Sequence, residues 1–158
     1  MLLAVYGWSG LRPLRVPLLL IVLVLPIWNL LQLPLRDIST AITHFILQLT
    51  DIPLLMDGYR VTVPGGNFVI EEACSGLGFL LIGLFIATCF IKINELSGWR
   101  RTGYVLFAVS LALLANWLRI IIIILVGNET QMQHPIVTDH LSFGWLVYVI
   151  TLVPLILG

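Results

Sequence analysis

Hydrophobic positions run in long blocks along this chain, and polar positions gather between them. Four blocks approach the roughly 20 apolar residues needed to cross a hydrocarbon core: 14–33, 76–93, 103–126 and 141–157. Each predicts a transmembrane helix. The first contains Pro17 and Pro26, which leave carbonyls for neighbours to satisfy, so that helix is expected to kink. Between the first and second blocks the period changes twice. From Asp37 to Leu49 apolar residues recur at Ile38, Ala41, Ile42, Phe45, Ile46 and Leu49, while Ser39, Thr40, Thr43, His44 and Gln48 fall off the stripe. That spacing predicts an amphipathic helix on the outer membrane interface, with His44 in solvent. Next, Y-R-V-T-V and F-V-I-E-E flank the turn signal P-G-G-N at 64–67, which predicts a short β-hairpin leading directly to Cys74. The expected fold is an all-α membrane protein of about four transmembrane helices, with an extracytoplasmic amphipathic helix and hairpin, in one domain over 1–158.

Composition agrees with that reading. The 158 residues are 59% hydrophobic and 10% charged, against about 25% charged in soluble domains. The formal net charge is zero, and there is no basic footprint for a nucleic acid. The N-terminal M-L-L-A-V-Y-G-W-S-G lacks a basic region and an A-x-A-like cleavage site, so the first span is expected to remain as an anchor. Arg12 and Arg15 flank the start of that span, and Lys92, Arg100 and Arg101 surround the second-to-third connection. Cytoplasmic loops collect such residues. The segments 35–75 and 127–140, which hold all three histidines, are then expected outside, and both termini inside.

The third span carries the costliest residue. Arg119, three residues after Asn116, lies inside A-L-L-A-N-W-L-R-I-I-I-I-I-L-V. An Arg at mid-helix costs about 2.5–3.5 kcal/mol on insertion scales and nearly always faces a bundle interior or wet cavity. Its Cα lies about 10 Å from the outer end of the helix, a distance that snorkelling partly closes. Asn116 shares its face, so the two can line one groove. An Arg that only anchors the helix is the simpler reading, and the apolar run between Arg119 and the polar loop argues against it.

Cys74 begins the second span from outside and His140 begins the fourth, so both meet Arg119 at one leaflet. Ser75 reads as a helix N-cap with Gly76 in the first turn, which sets Cys74 beside the positive end of a helix dipole. With a cation nearby, that position favours a thiolate. Glu71 and Glu72 oppose it if they face the sulfur. His140 can take the thiol proton and return it to a leaving amine, and Arg119 can stabilise the thiolate or a developing oxyanion. Asp139 adjoins His140 and cannot face it along a helix. His134 competes as base, but it lies mid-loop, whereas His140 abuts a helix start. Cys74 and Cys89 would lie about 22 Å apart on one helix, too far for a disulfide, which needs about 7 Å. Cys89 therefore reads as a small buried apolar residue. The spacing of His134 and His140 fits no zinc motif, and no cofactor is expected.

At these positions, E-A-C-S-G-L at 72–77, N-W-L-R-I at 116–120 and H-L-S-F-G-W at 140–145, the sequence resembles the exosortase/archaeosortase family of membrane cysteine transpeptidases. The upstream P-L-R-D-I and L-L-M-D-G-Y-R-V-T-V-P-G-G-N-F-V-I-E-E are similar to the same family's approach to the cysteine, and the likeness covers roughly residues 26–150. It is to the catalytic core of a family whose members are typically longer, and Gly78 stands where many members carry a basic residue. The resemblance implies a bacterial inner-membrane enzyme, its site facing the periplasm. Such an enzyme cleaves a C-terminal sorting signal such as a PEP-CTERM tail from a membrane-anchored substrate. It then transfers the product to an acceptor such as a glycolipid or polysaccharide. It also implies Cys74 as nucleophile with Arg119 and His140 completing the site, supported by Asn116, Glu72 and Ser75. Two other classes remain open at this point: a non-catalytic membrane subunit of a polysaccharide-export or transport assembly, with Arg119 binding an anion, and an intramembrane protease that only hydrolyses.

Overall fold

The structure, a computed structural model, describes residues 14–157; Arg12 and the N-terminal decapeptide lie outside the described residues. It is 74% helical with one small sheet. Helix α1 (Arg15–Val24) ends where Leu25 adopts ψ 144°, and a 3₁₀ turn (Pro26–Leu31) leads into α2 (Gln32–Gln48). The break follows from the sequence, because a residue before proline is pushed out of the helical region. The two segments meet at a 55° bend. Strands β1 (Leu55–Asp57), β2 (Arg60–Val63) and β3 (Gly66–Val69) follow, then a 3₁₀ turn (Glu72–Cys74), α3 (Leu77–Ile93), α4 (Gly98–Glu129), α5 (Pro135–Thr138) and α6 (His140–Leu157).

Two helical segments, Glu72–Ile93 and Gly98–Glu129, are long and apolar enough to cross a membrane, and the bent α1–α2 pair makes a third if it is one span. The four expected spans are thus reduced to two or three among the described residues. The expected 14–33 span is broken at Leu25, and α6 is apolar but just short of a straight crossing. At about 1.5 Å per residue the 32-residue α4 is near 48 Å long. It therefore outreaches a hydrocarbon core of about 30 Å and carries its C-terminal turns to the level of the sheet.

Small residues let α3, α4 and α6 approach closely. Ala87, Ala108, Ala112 and Ala115 are buried among Phe79, Tyr148 and Leu155, the small-residue packing typical of membrane helices. Phe79 and Tyr148 stack with centroids 4.3 Å apart, and the Tyr148 hydroxyl donates to the Phe79 carbonyl at 2.6 Å. At one end of the bundle a separate core forms from Leu47, Val61, Val63, Phe68, Ile70, Cys74, Ile120 and Ile124. The sheet is thereby bonded by apolar contact to the far half of α4.

Two local expectations are corrected. The hairpin is a three-stranded antiparallel meander, β1-β2-β3, because Leu55–Asp57 pairs with Arg60–Thr62; its three residues are too short to show alternation. The polar side of the amphipathic helix, expected in solvent, is buried in part. Ser39, Thr43 and Leu47 are buried, while Ile38, Phe45 and Leu49 are exposed. A surface helix of a soluble protein buries its apolar stripe. In α2 the small and polar stripe packs on the bundle and the apolar stripe faces outward, the arrangement suited to lipid.

Candidate active site

The site forms where the 3₁₀ turn Glu72–Cys74 meets α3. Gly76 is the N-cap of α3 at φ 90°, a left-handed conformation that glycine adopts without steric cost. A Cβ there would also come within 3.0 Å of the Asn116 side chain. Ser75, expected as the cap, lies one residue earlier; its buried hydroxyl accepts from the Leu77 N–H at 3.3 Å. The tight reversal leaves the carbonyls of Ala73, Cys74 and Ser75 without helical partners, and side chains from two other helices take them. Asn116 donates to the Cys74 carbonyl at 2.8 Å, Arg119 Nη2 to the Ala73 carbonyl at 3.1 Å, and Ser39 to the Ser75 carbonyl at 3.3 Å.

These three side chains also bond one another. Asn116 Nδ2 donates to Ser39 Oγ at 3.2 Å, and its Oδ1 accepts from Arg119 Nη2 at 3.1 Å. Asn116 is fully buried and Arg119 is 4% exposed, so the bonds that Asn116 makes act in a low-dielectric interior, where a satisfied group is strongly held; the Arg119–Ala73 bond is part-buried. The guanidinium lies 5.0 Å from the Phe79 ring centroid, within cation–π range. Its other side rests on Gly144, where a Cβ would meet Arg119 Cδ at 2.6 Å and Nη1 at 2.8 Å. Arg119 Nε is buried without a partner.

A cavity of about 260 Å³ opens beside the turn, and both Cys74 and His140 line it. Arg119 does not; it stands behind the cysteine, on its backbone side. Glu71 contributes to the cavity wall, whereas Glu72 accepts from Gln32 Nε2 at 3.2 Å; both are exposed. Asp139 accepts the Ser142 N–H at 3.2 Å and so caps the first turn of α6, which carries His140. Hydrogen bonds from Ser142 hold its carboxyl below the usual carboxylate range. His134 is the N-cap of α5 and accepts the Ile136 N–H at 3.2 Å through Nδ1. It is an ordered cap, not the mid-loop residue that the sequence suggests.

The sequence matches the family model described as transmembrane exosortase (Exosortase_EpsH) over residues 1–157. The chain belongs to the transmembrane exosortase family. No curated protein and no solved structure matches it. As an exosortase-family membrane protein, it places the three motif segments of the sequence around one turn: the first forms the turn, the second clamps it, and the third supplies His140 and Gly144.

Three contributors to this candidate site escape sequence reasoning. Ser39 sits on the inward stripe of α2, spaced by fours with Thr43 and Leu47. A stripe of small polar residues opposite an apolar one is the signal that could have revealed it. Arg36 donates to the Ile70 carbonyl at 2.6 Å and stacks 3.6 Å from the Tyr59 ring centroid, tying α2 to the sheet just before the turn. Gly144 has no side chain to attract notice, and its role is to leave room for Arg119.

Proposed function

We propose that this protein is a membrane cysteine transpeptidase. It cleaves a C-terminal sorting signal of the PEP-CTERM type from an exported, membrane-anchored protein and transfers that protein to an acceptor. The active face lies on the periplasmic side of the bacterial inner membrane, with both termini in the cytoplasm. The observation that carries this reading is that Cys74 and His140, from different helices, line one cavity, while Asn116 and Arg119 hold the backbone on either side of the thiol.

In the first step His140 takes the Cys74 proton and the sulfur attacks the scissile carbonyl carbon. The carbon–nitrogen bond breaks, the leaving amine takes the proton from His140, and a thioester remains. An amine or hydroxyl of the acceptor, such as a glycolipid or polysaccharide, then attacks the thioester, gives its proton to His140, and releases the thiol. No metal or cofactor is needed for this balance. Asn116 and Arg119 are positioning residues in this scheme: they fix the turn that presents the sulfur, and Arg119 keeps a positive charge beside it. Ser75 supports the helix start.

The burial of Arg119 favours this reading over a non-catalytic subunit that binds an anion, because its guanidinium already faces an internal carbonyl, a carboxamide and a ring. The test is processing of a reporter with a PEP-CTERM-type tail in membranes. Cys74→Ser and His140→Gln are each expected to insert normally and to leave the tail intact. Full processing by Cys74→Ser removes the thiol from the mechanism. Products carrying only a water-derived carboxylate, even with an added amine, would mark a protease rather than a transferase.

A further inference from the structure

Resting on the reading of Cys74 as nucleophile, we infer that the cavity beside it seats one apolar side chain of the substrate, next to the carbonyl under attack, and so selects the residue that is joined to sulfur. Its volume of about 260 Å³ lies below the roughly 300–1,000 Å³ of pockets that enclose whole small molecules. That space suits one large side chain, not a whole sorting signal. Ile120, Ile123 and Ile124 present one face of α4 to it, and Phe68, Ile70 and Val137 close the other walls. Ile70 and Ile124 are 2% exposed and belong to the core that joins the sheet to α4, so these walls are fixed by packing and do not depend on a bound partner.

The chemistry of the walls sets the preference. An aliphatic or aromatic side chain entering here leaves water for apolar contacts, which is favourable in proportion to the area covered. A charged one loses hydration against isoleucine and phenylalanine. The polar members of the wall other than Cys74 and His140 are Asn67 and Glu71, and both are exposed. Solvent screens Glu71, so it offers a lysine little and an aspartate nothing. Because Cys74 and His140 share this wall, a side chain seated in the cavity leaves its own carbonyl carbon within reach of the sulfur.

The experiment uses the full-length protein in lipid nanodiscs and the chloromethyl ketones of N-acetyl-leucine, N-acetyl-lysine and N-acetyl-aspartate. Each alkylates a thiol, forming a carbon–sulfur bond with loss of chloride. Mass spectrometry of the Cys74 peptide gives the rate, with iodoacetamide as a small neutral reference and Cys89 as the internal comparison. The leucine reagent is expected to label Cys74 at least roughly 10-fold faster than the lysine and aspartate reagents, the discrimination typical of an apolar pocket. Val137→Trp, which fills the cavity, is expected to abolish most of that advantage while iodoacetamide still labels Cys74. Equal rates for the three reagents, or a faster lysine reagent, would overturn the inference and leave Cys74 as a reactive thiol. Failure of every reagent, iodoacetamide included, to label Cys74 faster than Cys89 would overturn both the inference and the reading beneath it. The three-reagent comparison is made on the unaltered chain, so the result stands even if Val137→Trp does not fold.

Discussion

The carboxamide of Asn116 donates to the carbonyl of Cys74 at 2.8 Å and to Ser39 Oγ at 3.2 Å, while its oxygen accepts from Arg119 at 3.1 Å. One residue on α4 thereby joins the nucleophile's own peptide to α2 and to the buried cation. Replacing it by Leu leaves the buried Cys74 carbonyl without a partner, at a cost of about 1–3 kcal/mol, while Ser39 and Arg119 keep their bonds to the Ser75 and Ala73 carbonyls. Asn116→Leu is expected to lower the melting temperature in detergent micelles and to reduce processing of the reporter by more than 10-fold, on the order of one such bond. Ser39→Ala removes a single hydroxyl and should cost about 0.5–1.5 kcal/mol. Equal stability of Asn116→Leu and the parent would show that the network holds nothing.

Arg119 and Gly144 give a second prediction. An alanine at 144 would place its Cβ 2.6 Å from Arg119 Cδ, and overpacking of this kind typically costs about 1–3 kcal/mol. The cost should fall below about 0.5 kcal/mol when Arg119 is already Ala, because contacting residues couple and distant ones add. A double-mutant cycle of thermal stability measures this. Additive effects would mean that the guanidinium does not rest on Gly144.

How much of this was legible beforehand varies with the range of the interaction. The shared face of Asn116 and Arg119 follows from helical spacing, and the structure joins them by a hydrogen bond. The break before Pro26 is likewise local. What sequence could not supply is the partner of a given face. The side of α2 that carries Ser39 and Thr43 reads as the polar, solvated face of an interfacial helix, yet both residues are buried in the bundle while Ile38 and Phe45 on the apolar stripe are exposed. Similarly, the sequence sets Arg119 at the same leaflet as the thiol, as a cation for the thiolate or an oxyanion, but it does not line the cavity that Cys74 and His140 share. Its two nearest acceptors, the Ala73 carbonyl and Asn116, are created only when the chain reverses at Gly76. Strand β1 has three residues, too few for a period to show, and it forms because β2 offers it an edge.

The orientation of α2 is itself testable. Nitroxide labels at Ile38→Cys and Phe45→Cys, introduced with Cys74 and Cys89 replaced, are expected to relax strongly with oxygen and weakly with a water-soluble nickel chelate. Both parent side chains are exposed on the apolar stripe, at 49% and 62%. Dominance of the nickel chelate at both positions would place this face in water and return α2 to the surface.

Asp139 links the start of α6 to pH. Its carboxyl is held below the usual range by hydrogen bonds from Ser142, so it contributes stability that is present above the unfolded value near 3.8 and is lost as pH falls through the lower folded value. Hydrogen exchange at the Ser142 amide, corrected for its intrinsic pH dependence, should therefore lose protection in that acid window and nowhere between pH 5 and 8. Asp139→Asn should remove this acid dependence while keeping part of the cap.

The central claim is that Cys74 carries the acyl group. Mass spectrometry of the acid-quenched protein, after brief exposure to a tail-bearing substrate without acceptor, tests it most directly. The proposal predicts an adduct on the Cys74 peptide equal to the substrate's acyl fragment, cleaved by neutral hydroxylamine and absent from Cys74→Ser. Processing that proceeds with no such adduct, or with the adduct on another residue, would contradict it.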